Sequence, residues 1–72
     1  MDYYKLGQVI GTADGGCNVC VRRLLNEFNK KFELNEGQRN LLAMGASYNN
    51  EYETFIYDAT ENEFVEINKN ET

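Results

Sequence analysis

Cys17, Cys20, Val21, Leu24 and Phe28 fall at the i, i+3, i+4, i+7, i+11 spacing of a helix with one apolar stripe. Leu25 and Phe32 widen the stripe, while Asn18, Arg22, Arg23, Asn26, Asn29 and Lys30 take the other side. The spacing predicts an amphipathic helix over Cys17–Phe32, with Lys30 and Lys31 suited to its negative carboxyl end. Such a helix holds in water only against a second apolar layer. The chain has 72 residues in which to build that layer, room for a single domain of marginal stability.

The flanking segments define the layer. Tyr3 to Ile10 is rich in Tyr, Val and Ile and reads as a strand, followed by a loop over Gly11-Thr12-Ala13-Asp14-Gly15-Gly16. After the long helix, Asn35 can cap a second one, with Gln38 placed as its capping-box partner. Leu41, Leu42 and Met44 give that helix an apolar side over about 36–45, and Gly45 is its expected stop. Residues 47–50 read as a turn. Residues 52–57 and 63–68 read as strands joined by Asp58-Ala59-Thr60-Glu61-Asn62, and the last residues should fray. The expected fold is a small single α+β domain spanning 1–72. Its order is β-α-α-β-β, a two- or three-stranded antiparallel sheet with two helices packed on one face.

Charge is unevenly spread. From Asn50 onward the acids Glu51, Glu53, Asp58, Glu61, Glu63, Glu66 and Glu71 face one base, Lys69. Residues 1–49 carry six bases against five acids, and the formal net is −5. An acidic domain argues against general binding to nucleic acid or to anionic membranes. No stretch approaches the length of a membrane span, and the start lacks a basic segment followed by a long apolar run, so the expected compartment is the cytoplasm with reduced thiols.

Catalytic chemistry finds little material. The chain has no His, one Ser and no Pro. Cys17-Asn18-Val19-Cys20 opens the long helix, where the helix amino end stabilises a thiolate; thioredoxin-like proteins keep a redox pair in such a place. They also set a cis-proline and a parallel strand beside it, and neither is readable here. Core packing of both cysteines on the apolar stripe is the preferred reading, with a small dithiol oxidoreductase, Cys17 attacking and Cys20 resolving, as the alternative. Two Cys without His cannot complete a zinc site unless two copies share it, and the 58–66 acids lack calcium-loop spacing. The Gly11–Gly16 loop matches neither nucleotide fingerprint. No catalytic residue, metal or cofactor is assigned.

Two helices followed by a hairpin also fit a winged-helix-like DNA-binding regulator, but the second helix offers Arg39 alone and the would-be wing carries the acids. The acids can serve two ends. They keep a small domain soluble and discourage edge-to-edge strand pairing. Interleaved with Tyr52, Phe55, Tyr57 and Phe64, they can also imitate the charge of a nucleic-acid backbone. The expected function is therefore a non-enzymatic protein-binding domain, in character a phage-type inhibitor docking an acidic hairpin into a basic groove of a partner protein. Its contact residues would be Glu51, Tyr52, Glu53, Tyr57, Asp58, Glu61, Glu63 and Glu66. Open strand edges and a small core also allow a homodimer.

Overall fold

In the computed structural model, which describes residues 1–69, the chain folds as a small α+β domain of three helices and a two-stranded antiparallel sheet. The elements are α1 (Tyr3–Gly11), a 3-10 turn (Ala13–Gly16), α2 (Asn18–Lys31), α3 (Glu36–Tyr48), β1 (Glu53–Asp58) and β2 (Glu63–Asn68). Glu71 and the expected fraying at the carboxyl end lie outside the described residues.

The first element corrects the expectation of a strand. Asp2 caps α1, its Oδ1 accepting from Lys5 N–H at 3.0 Å. Tyr3, Leu6 and Ile10, at i, i+3 and i+7, pack against the core. Gly7 and Gly11, one helical turn apart, let α1 lie directly on α3. A Cβ on Gly7 would collide with the Leu42 carbonyl, and one on Gly11 would sit 2.7 Å from the Ala46 oxygen. From the other helix, a Cβ on Gly45 would collide with the Tyr4 carbonyl. Gly45 is therefore no helix stop; α3 runs through it to Tyr48, because the glycine is needed for close approach and not for a left-handed cap.

That approach also decides which face of α3 is buried. Leu42, Ala43, Gly45 and Ala46 are buried, whereas Leu41 and Met44 are exposed. Small residues line the seam, and two of the large ones assigned to the apolar side are displaced outward. The start of α3 is as expected: Gln38 N–H donates to Asn35 Oδ1 at 2.8 Å and Asn35 N–H to Gln38 Oε1 at 2.9 Å.

Val21 and Leu25 of α2 are fully buried, with Phe28 packed beside them. The stripe is thus rotated away from the cysteines: Cys17 is exposed and Cys20 half-buried, which corrects the expectation that both pack in the core. The inner face of the hairpin supplies Phe55 and Phe64, both buried, and Tyr57 packs edge-on to Phe64 at 5.3 Å.

The register pairs Glu53 with Asn68, Phe55 with Glu66, Tyr57 with Phe64 and Asp58 with Glu63. Each edge of this short sheet is covered at one residue by a side chain. On the β1 side, Phe55 N–H donates to Ser47 Oγ at 2.8 Å, and that hydroxyl lies 3.3 Å from Phe55 O. On the β2 side, Phe64 N–H donates to Asn26 Oδ1 at 2.6 Å and Asn26 Nδ2 donates to Phe64 O at 3.2 Å.

Candidate functional site

The hairpin turn is built by Asp58. Its Oδ1 accepts from Thr60 N–H at 2.9 Å and Glu61 N–H at 3.4 Å. Asn62 then adopts φ 53°, a left-handed conformation that Asn tolerates better than most residues, and accepts from the Tyr57 hydroxyl. This geometry sets an expected result: Asn62→Val costs about 1–2 kcal/mol in urea unfolding, whereas Asn62→Gly costs less because glycine carries no Cβ penalty.

Strand alternation sorts the acids. Glu53 and Glu66 lie on the inner face with Phe55 and Phe64. Asp58 and Glu63 lie on the outer face with Ile56 and Val65, directly opposite one another, and Glu61 sits in the turn between them. The expected rim of six carboxylates therefore divides into three parts. Asp58, Glu61 and Glu63 gather at the hairpin tip. Glu51 and Glu53 stand at the far end of β1, about 15–20 Å away by strand rise. Glu66 turns to α2, its Oε2 3.9 Å from Arg22 Nε, the one ion pair among the described residues. That oxygen is buried and accepts no hydrogen bond, so Glu66 is turned inward toward α2 and away from the hairpin tip.

The aromatic anchors divide too. Tyr52 is 68% exposed and available for contact. Tyr57 is engaged by the fold: its ring packs on Phe64, Arg39 stacks over it at 4.6 Å, and its hydroxyl bonds Asn62. Tyr52 and Glu51 border an open polar cavity of about 570 Å³ together with Asn18 and Asn50. Asn50 organises that end, accepting from Glu53 N–H at 2.7 Å and donating to Asn18 Oδ1 at 2.6 Å.

Other chemistry is sparse. Cys17 stands at the N-cap of α2, where no side chain caps the helix. Among the described residues, no group of three or more His, Cys, Asp or Glu is placed to hold a metal ion, and no helix is long and apolar enough to cross a membrane. On α2, Arg22, Arg23 and Lys30 share a shallow cavity of about 330 Å³ with Glu27 and Glu63, so the basic helix face meets the acidic tip at Glu63. The exposed face of α3 carries Asn40, Leu41, Met44 and Tyr48, and Arg39 is held by Asn29 at 2.9 Å and by Tyr57.

Beyond the expected residues, the structure brings together a second surface that the sequence reading passed over. Tyr4, Met44, Ser47, Thr54, Ile56 and Tyr57 line an apolar groove of about 510 Å³ between α3 and β1. Comparison with protein-family models, curated proteins and solved structures finds no match to this chain.

Proposed function

We propose that this chain is a non-enzymatic protein-binding domain that presents the acidic end of its hairpin to a basic surface on a partner protein. A groove shaped for a nucleic-acid backbone is one such surface, and filling it would make the domain an inhibitor. The observation that carries the reading is the arrangement of Asp58, Glu61 and Glu63. Two like charges face each other across the strands, a pairing that costs stability, with a third in the turn between them. Ser47 and Asn26 cover the sheet edges at Phe55 and Phe64, so the acids at the tip are not alone in guarding those edges. Asp58 has a structural use in the turn; among the described residues, the Glu61 and Glu63 carboxylates make no hydrogen bond or ion pair.

The winged-helix alternative gains little from the geometry, because α3 exposes an apolar face and its single cation is engaged elsewhere. For the dithiol alternative, the exposed position of Cys17 at an uncapped helix end is the one favourable feature.

Affinity capture from a cell lysate, washed with graded salt, tests the proposal. The captured protein is expected to elute between 0.1 and 1 M salt, as the screening length falls from about 10 Å to about 3 Å. Glu61→Lys with Glu63→Lys is expected to slow association by on the order of tenfold or more, with a smaller effect on dissociation. A complex that persists in 1 M salt and ignores both reversals overturns the reading.

A further inference from the structure

The apolar stripe of α2 is wider than the core requires. One edge of it, Val21 and Leu25, is fully buried. The other edge, Leu24, Phe28 and Phe32, recurs at i, i+4 and i+8 and forms a ridge beside α1. Phe32, the C-cap of α2, is 51% exposed and lies tilted on Phe28, 4.6 Å between ring centres. Leu24 is half-buried and stands outside the core cluster. With Leu6 and Ile10 of α1, the ridge lines an open groove of about 320 Å³. A domain of 72 residues gains by covering such a strip, because its own core is small.

The charges on the groove indicate what covers it. Two charged residues line it, Glu27 and Lys31, both exposed on α2 and one helical turn apart. Glu at i with Lys at i+4 is the order that pairs best along a helix, yet no ion pair joins them; the one ion pair among the described residues is Arg22 with Glu66. One charge of each sign leaves the groove without net charge, and none of the hairpin acids lines it. The repulsion between two copies of a chain with formal net charge −5 is therefore weak along this strip.

A uniformly basic or uniformly acidic partner would oppose one of the two charges. A surface carrying both signs at the same spacing satisfies both, and the chain's own α2 is such a surface. Turned end for end about a two-fold axis between Glu27 and Lys31, a second α2 lays ridge against ridge and sets each Glu27 against the Lys31 of the other copy. The geometry points to this face as a self-complementary interface through which two copies of the chain pair, α2 antiparallel to α2. The ridge from Leu24 to Phe32 runs about 12 Å, so the interface falls at the small end of the known range and the dimer is weak and reversible. The inference stands on α1 and α2 and not on the hairpin, so it and the acidic-tip reading fail separately.

The test is sedimentation equilibrium of the whole chain from about 10 µM to about 1 mM, which is expected to show a reversible monomer–dimer equilibrium. Glu27→Lys alone sets Lys against Lys in both pairs, and Lys31→Glu alone sets Glu against Glu. Each is expected to weaken the dimer about tenfold or more, with the fold checked by its thermal midpoint. An equimolar mixture of these two single variants is expected to recover the parent's association as a mixed dimer, because every charge then meets its opposite. Phe32→Ser is expected to weaken the dimer about tenfold or more by removing its most exposed aromatic contact. A chain that stays monomeric to about 1 mM overturns the inference. A dimer that both single charge variants leave intact overturns it too, since the contact then lies elsewhere. Association lost in both single variants and not recovered by their mixture overturns the antiparallel pairing.

Discussion

Gly45→Ala is expected to remove a large fraction of the stability of this domain. The new methyl would collide with the Tyr4 carbonyl and lie 2.9 Å from Gln8 N and 3.0 Å from Gly7 Cα. Each of those atoms is backbone, so no rotamer change relieves the contact; α1 and α3 must part along the seam. Overpacking of a well-filled site costs about 1–3 kcal/mol and sometimes more, and a rigid backbone neighbour places this case at the upper end. A 72-residue domain commands only about 4–11 kcal/mol in total, so the loss is a large fraction. At about 4–8 °C per kcal/mol, the thermal midpoint should fall by roughly 15 °C or more. Gly37→Ala is the matched control. Its Cβ would meet only Asn35 Oδ1, at 3.4 Å, on an exposed first turn, so the same substitution there should raise stability by about 0.5 kcal/mol. Circular dichroism melts of the two variants give opposite signs if the seam holds the fold. Equal, small changes would mean that the helices are not in backbone contact.

The same seam explains what the sequence left unread. Tyr3–Gly11 carries β-formers and two glycines, and each glycine costs a helix about 0.5–1 kcal/mol, so local preference argues against the helix that forms. Two weak signals favoured it: Asp2 at cap position, and Gly7 and Gly11 four residues apart, the spacing of one helix face. Their value depends on α3 lying across them, which no window of sequence contains. Elements fixed by local chemistry were legible. The Asn35–Gln38 box starts α3 where expected, β2 occupies 63–68 as expected, and β1 is displaced by one residue. The candidate site was legible in halves. Alternation correctly grouped Glu63 with Val65 and Ile67 and Glu66 with Phe64. It could not say that the Phe64 side faces the helices, which turns Glu66 to Arg22 and takes Tyr57 out of the contact surface. The groove between α3 and β1 is not legible in the sequence because Met44 falls on the apolar side of α3; only the closeness of α1 makes small residues the buried ones.

Asn26→Leu should produce the second large loss, of about 2–4 kcal/mol, for a reason unrelated to packing volume. Asn26 sits part-buried on α2 and matches both backbone groups of Phe64, accepting the N–H at 2.6 Å and donating to the carbonyl at 3.2 Å. Leucine fills similar space but leaves one donor and one acceptor without partners beside a fully buried Phe64, and each such group costs about 1–3 kcal/mol. The amide also joins α2 to β2 across 38 residues of sequence, so its loss loosens the sheet from α2. Two measurements separate this account from simple destabilisation. Hydrogen exchange at the Phe64 amide should accelerate more than at neighbouring core amides, because that proton alone loses its acceptor. Self-association beyond the parent's should also appear in Asn26→Leu, because β2 would then offer an unpaired N–H and C=O to another chain. Ser47→Ala, which opens the β1 edge at Phe55, should show the same two signs with a smaller stability loss, because it is the Phe55 N–H that loses its acceptor while the helix seam is untouched. Unchanged exchange at Phe64 in a destabilised Asn26→Leu variant would mean that the side chain acts through packing and that the sheet edge is guarded by something else.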